Sequence, residues 1–252
     1  MKRITSFFLA LLLTLCLFAC GSKNAEHTFK NASELSSPVF AKPVLHSPFY
    51  IHDVPVEDVI LYFNEVCLDS EFTDSGDPSV IQKWTVPIYY TIDGEYTSED
   101  IAVFESFTAW LNGIEGFPGI FEADDISKRN LRICFCAGEA ELVNIMGTNF
   151  YGMDGGVTFW YMYNEIYDAT ICYRTDIPQH TRNSVIIEEL YNGLGPVQDT
   201  ALREDSIIYS GFSEPQWLSE TDCLIMRLLY HPDIKPGMSA HECEAVIRTL
   251  YW

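Results

Sequence analysis

Ile186-Ile187-Glu188-Glu189-Leu190-Tyr191-Asn192-Gly193-Leu194-Gly195-Pro196-Val197-Gln198 sets the plan of the whole chain. Val185, Ile186, Leu190 and Leu194 recur at helical spacing, and Gly195-Pro196 ends the run because proline cannot continue a helix. The pattern predicts a helix over 183–194, with those four side chains in a core and Glu189 facing a cleft. Two adjacent carboxylates on such a helix have a plainer reading too, a solvated edge or an ion pair near Arg182 or Arg248.

Outward from this helix, periodicity organises the rest. Apolar residues at Val54, Val56, Val59, Ile60, Phe63, Val66 and Cys67 predict a helix over 53–68. Residues 84–92 alternate and are rich in β-formers, which predicts a strand ending at Asp93-Gly94. Thr97-x-x-Asp100 is a capping-box start for a long helix carrying Ile101, Phe104, Phe107, Trp110, Leu111 and Ile114, stopping at Gly116. Residues 131–136, 156–163 and 166–173 read as strands, the last two joined by a turn at Asn164-Glu165. Ser219-x-x-Asp222 and Ser239-x-x-Glu242 open two further helices, separated by Pro232 and Pro236-Gly237. The expected architecture is a single α+β domain over 49–252: a mixed twisted sheet, a long helix, a central helix with the two glutamates and a helical tail.

The N-terminus carries an address. Lys2 and Arg3 precede an apolar run from Phe7 to Phe18, broken only by Thr14, as in a secretory signal peptide. It is too short for a transmembrane helix, which needs about 20 apolar residues. Leu17-Phe18-Ala19-Cys20 resembles the lipobox of bacterial lipoproteins, implying cleavage of a 1–19 signal peptide and acylation of Cys20. Gly21 stands where an Asp in such lipoproteins favours the inner membrane, so the expected location is the cell envelope, at the outer membrane facing the periplasm. Residues 20–48 have no periodicity and read as a tether. The formal charge of −21 repels nucleic acid, so no nucleic-acid partner is expected. Six cysteines follow Cys20, namely Cys67, Cys134, Cys136, Cys172, Cys223 and Cys243. An oxidising compartment makes bridges plausible, and sequence does not choose among 15 full pairings. Cys134 and Cys136 share one strand face, so they should have different partners or none.

The quoted stretch also has the frame of H-E-x-x-H-x-x-G-x-x-H, in which three histidines hold zinc and the Glu is the base. Glu188, Asn192 and Gln198 stand at the ligand places, Glu189 at the base place and Gly195 at the turn. Trp84-Thr-Val-Pro-Ile-Tyr-Tyr, the helix with Phe107 and Trp110, Asp205-Ser-Ile-Ile-Tyr209 and residues 218–230 resemble, in order, the first strand, long helix, Met-turn and final helix of matrixin-like metzincins. Ile208 would replace the methionine. Phe63-Asn-Glu-Val-Cys-Leu-Asp-Ser-Glu-Phe72, Gln82-Lys-Trp84, Ile187-Glu-Glu-Leu190 and Leu228-Leu-Tyr-His-Pro-Asp-Ile-Lys-Pro-Gly-Met238 resemble the bacterial family called domain of unknown function 2927. That resemblance implies a zincin-like fold, often in a lipoprotein, with no established activity.

Ligand chemistry weighs against an enzyme. Zinc prefers nitrogen and sulfur, and one carboxylate with two amides is a poor substitute for three imidazoles. Calcium could take Glu188, Glu189 and Asp199 but needs at least six oxygens. Adjacent helical residues diverge by about 100°, so Glu189 is expected to turn away from Glu188. No metal or cofactor is therefore expected. The leading expectation is a non-catalytic envelope domain binding a peptide or protein partner along a sheet edge, with Glu188, Glu189 and Asn192 in the cleft. The alternatives are a metalloprotease-like hydrolase with unusual ligands, Glu189 being the base, and a structural envelope lipoprotein. The aromatics Phe150, Tyr151, Phe159, Trp160, Tyr161 and Tyr163 suit peptide or glycan binding where they face out. Cys20→Ser should leave an unlipidated or unprocessed protein, checked by mass spectrometry of the mature N-terminus; wild-type protein beginning elsewhere, or lacking acyl chains, defeats the lipobox reading.

Overall fold

The computed structural model describes residues 47–68 and 79–252. The signal segment, Cys20 and the tether up to residue 46 lie outside the described residues. The first helix, α1 (Val56–Leu68), buries Val59, Phe63 and Val66 on one face. Residues 84–92 do not form one strand: β1 (Lys83–Trp84) and β2 (Ile88–Gly94) are separated at Val86-Pro87, where proline has no amide to give a ladder. The long helix α2 (Ser98–Leu111) starts at the expected capping box, with Thr97 and Asp100 exchanging hydrogen bonds. It stops short of Gly116 because Asn112 bonds both backbone groups of Ile120 and turns the chain into β3 (Ile120–Glu122).

The remaining elements are β4 (Leu131–Cys136), α3 (Glu139–Met146), β5 (Gly155–Met162), β6 (Glu165–Arg174), α4 (Gln179–Asn192), α5 (Glu220–Leu229) and α6 (Ala240–Leu250). Among the described residues this is a mixed α/β architecture of six α-helices and a mostly parallel sheet in the order β3-β2-β4-β6. Two-residue β1 pairs with the start of β6, also in parallel. The exception is β5, antiparallel to β6 and joined to no other described strand. The β5–β6 hairpin turns on Tyr163 and Asn164, both with positive φ, a pair whose twist suits adjacent antiparallel strands. The turn therefore sits one residue earlier than Asn164-Glu165.

As the helical period requires, Val185, Ile186, Leu190 and Leu194 are all buried. They join Phe104, Phe107, Ile133 and Ile171 in the main core, where burying each such side chain is worth roughly 1.5–3 kcal/mol. Helix α4 begins four residues before 183, at Gln179 behind Pro178. Its extra turn is polar, and a buried ion pair holds it. Arg182 Nε donates to Asp100 Oδ1 at 2.7 Å, with both side chains almost wholly buried. Gln179 Nε2 donates to the same oxygen, and Arg182 Nη1 donates to the carbonyls of Thr175 and Ile177. Burial pushes the Asp100 carboxyl up, but the hydrogen bonds from Arg182, Thr97 and Gln179 outweigh it and leave the pKa below its ordinary value.

The two ends of the described domain also meet. Ser47 N donates to Trp252 O at 2.6 Å, and the Tyr251 hydroxyl donates to Val54 O at 2.6 Å and Ile51 O at 3.0 Å. Arg182→Ala should lower the unfolding free energy by about 3–5 kcal/mol in urea titration, because it strands a buried carboxylate. Asp100→Asn combined with Arg182→Met should cost less than that single change.

Candidate functional site

The C-terminal end of α4 is held from two sides. Trp84 Nε1 donates to Gly193 O at 2.9 Å and the Tyr230 hydroxyl donates to Leu194 O at 2.8 Å. The chain then turns at Gly195, whose φ of +124° and approach to Gln82 O leave no room for a side chain: a Cβ would lie 2.7 Å from that oxygen. Beyond the turn, the loop 197–213 is tied down by Asp222, the second capping-box aspartate. Asp222 accepts hydrogen bonds from the Tyr62 hydroxyl at 2.7 Å, Ser206 Oγ at 2.9 Å and Ile207 N at 3.0 Å.

Between α4, this loop and β5 lies a cleft of about 750 Å³. Gly155, Gly156, Val157, Thr158 and Phe159 of β5 all line it in unbroken sequence. A strand presents alternate residues to a cavity over its face, so this cleft meets β5 at its edge. Of the candidate residues, Glu188, Glu189 and Asn192 line the cleft and Gln198 does not. Gln198 Nε2 donates to the carbonyl of Asp199, and its neighbours Val197 and Asp199 line the cleft in its place.

Glu188 and Glu189 both line this cleft. The two do diverge along the helix, but the cleft wraps far enough around α4 to take both. Gly155 lets β5 pack close to this part of α4, since a Cβ there would sit 2.9 Å from Glu189 Cγ and 2.5 Å from Val185 Cγ1. Glu188 interacts electrostatically with Asp199 and with Asp154, a residue that sequence reasoning missed because it lies on the approach to β5, remote from α4 in sequence. Neither Glu188 nor Glu189 forms the ion pair expected of a helix edge: Arg182 is bound to Asp100, and Arg248 to Glu57 and Glu244.

No protein donor reaches either glutamate carboxylate among the described residues. Burial pushes Glu188 from its ordinary 4.5 up to about 8, helped by repulsion from Asp199 and Asp154. Burial raises Glu189 also, with Glu188 and Asp199 adding to it. Both carboxyls therefore hold their protons more tightly than exposed ones do.

The zinc of a metzincin does not fit this donor set. Glu188 and Asn192 share a helix face but offer one carboxylate and one amide, and Gln198 is turned elsewhere. Among the described residues no three His, Cys, Asp or Glu side chains are arranged to hold a metal ion. Ile208, at the Met-turn position, is a fully buried core residue.

The six cysteines after Cys20 are all free thiols, five of them buried and Cys223 partly exposed. Cys134 and Cys172 pair in register across β4 and β6. With Cys136, Leu142 and Phe150 they form a small second core, against which α3 packs Val143 and Met146. Phe150 and Met146 also line the cleft, so this core supports its rim.

The chain belongs to the family described as "Protein of unknown function (DUF2927)", whose model matches residues 57–249. No curated protein matches it. The match spans α1 to the last turn of α6 and so includes every element that builds the cleft.

The raised carboxyl pKa has a consequence for stability. A folded-state value of about 8 for Glu188 against 4.5 ordinarily means a contribution fully present below about pH 4.5 and lost as pH rises through about 8. Unfolding midpoints in urea should fall between pH 5 and 9, and the fall should be shallower in Glu188→Gln. Equal slopes in the two proteins would show that Glu188 titrates normally.

Proposed function

We propose that this chain is a lipid-anchored protein of the bacterial cell envelope whose zincin-like, non-catalytic domain captures an extended peptide or protein segment along β5. The observation that carries this reading is the cleft running along the unpaired edge of β5. Outside the β6 ladder, no backbone hydrogen bond joins residues 155–162 to another described residue. An extended segment could add there as a further strand, its backbone bonding to β5 and its alternate side chains facing α4 and the loop 197–213. The envelope anchor rests on Lys2, Arg3, the apolar run and Cys20 in that order. The zincin likeness rests on the order of strand, long helix, edge hairpin and glutamate helix, and absence of catalysis rests on the unsuitable donors at Glu188, Asn192 and Gln198.

Adjacent residues of an antiparallel strand direct their amides to opposite edges. One of Val157 and Thr158 therefore bonds to β6, while the other faces the free edge. Proline at the outward position removes a donor without breaking the ladder. Of Val157→Pro and Thr158→Pro, one should keep the wild-type unfolding midpoint yet bind extended peptides about tenfold more weakly; the other should be destabilised. Undiminished peptide capture by the stable variant overturns the edge reading. Peptide turnover that is chelator-sensitive and lost in Glu189→Ala would instead establish the hydrolase alternative.

A further inference from the structure

The composition of the cleft specifies what kind of side chain an edge-bound segment would bring to it. Asp154, Glu188, Glu189 and Asp199 line the space, and no lysine, arginine or histidine does so among the described residues. Arg174 reaches Asp154 from outside at 3.4 Å, but its main commitment is a two-point contact with Asp176 at 2.9 and 3.0 Å. The glutamates have no such neighbour. Elsewhere in this fold buried carboxylates are surrounded by donors: Asp100 has Arg182, Gln179 and Thr97, and Asp222 has Tyr62, Ser206 and Ile207.

A second observation is independent of charge. Asn192 stands one turn along α4 from Glu188, and its Oδ1 is buried with no hydrogen-bond partner. A buried acceptor left unbonded is unfavourable, so a donor brought to it is stabilising. Asn192 lines the same cleft, so an unbonded amide acceptor stands beside the two glutamates. The walls are aromatic, from Phe150, Phe159 and Tyr161 on one side and Tyr209 and Phe212 on the other. Aromatic faces attract cations. Together these features describe a receptacle for a group that is cationic, rich in N–H donors and carried on an apolar stem.

We propose that the cleft is a pocket for a basic side chain, and that the segment captured along β5 delivers a lysine or arginine to Glu188 and Glu189. The inference rests on the edge-capture reading and adds the residue it selects. Lysine and arginine alone among side chains combine permanent positive charge, several donors and a long apolar stem. The stem lies against the aromatic walls while the head meets the carboxylates. Gly155 lets β5 lie close against Glu189, whose Oε1 would be 3.0 Å from a Cβ at that position.

The test uses acetylated seven-residue peptides of alternating Thr and Ser with a central Lys or Arg, against matched peptides with central norleucine or citrulline. Binding to the purified domain is followed by titration calorimetry. The basic peptides should bind about tenfold more tightly than their neutral counterparts. That preference should vanish in Glu188→Gln and in Glu189→Gln, two near-isosteric changes whose folding is checked by circular dichroism. Equal binding of basic and neutral peptides overturns the pocket and leaves edge capture standing. A preference for basic peptides that survives both variants also overturns it, by tracing the effect to the general acidity of the surface. If N-acetyl-lysine methylamide binds as well as the lysine peptide, the carboxylates select the cation and the edge reading falls. If none of these ligands binds, both fall.

Discussion

Asp100 closes the capping box of α2 and, with the same carboxylate, holds Arg182 in the first turn of α4. One buried side chain therefore fixes the start of one helix and the angle of another. Arg182 extends the constraint by bonding the carbonyls of Thr175 and Ile177, so the end of β6 is drawn to the same point. A buried ion pair adds little net stability over an apolar pair, but loss of either partner is expensive. Its effect here is geometric, because α4 carries both glutamates and has little freedom to roll on the sheet. Asp222 repeats the device on the other side of the cleft, capping α5 and gripping Ser206 and Ile207 of the loop.

The contrast between these aspartates and the cleft glutamates is the clearest sign of a site. Buried carboxylates that serve only the fold are satisfied by donors, and hydrogen bonding leaves Asp100 below its ordinary pKa. Glu188 and Glu189, partly buried in the cleft wall and without such donors, are shifted the opposite way. Perturbed groups without structural partners, gathered in a concavity, are where binding chemistry is expected. The cost of keeping them so is carried by the packing of Leu190, Leu194 and Tyr191 on the other face of α4.

Much of this was legible from local signals. Both capping boxes stand in the sequence as Thr97-x-x-Asp100 and Ser219-x-x-Asp222, and the buried stripe of α4 follows from the spacing of Val185, Ile186, Leu190 and Leu194. The elements that escaped notice lack such signals. Leu142 is the one fully buried residue of α3, and Ile120 the one buried residue of β3, so neither has a period to read. The first turn of α4 is polar and is helical because of Asp100, a partner 82 residues away. The site was half visible for the same reason. Residues 188, 189 and 192 belong to one helix, whereas Asp154 joins them through tertiary contact, and β5 approaches Glu189 closely only because Gly155 lacks a side chain.

The meeting of the two ends of the domain bears on how the chain matures. Tyr251 and Trp252 bond to Ile51, Val54 and Ser47 across some two hundred residues, and Arg248 of α6 reaches Glu57 of α1. Contacts of such long sequence separation form late, because the intervening chain must first be ordered. During synthesis, closure waits until residue 252 has left the ribosome. Until then α1 has no α6 to cover it, and the apolar face it buries in the finished domain stays open to solvent.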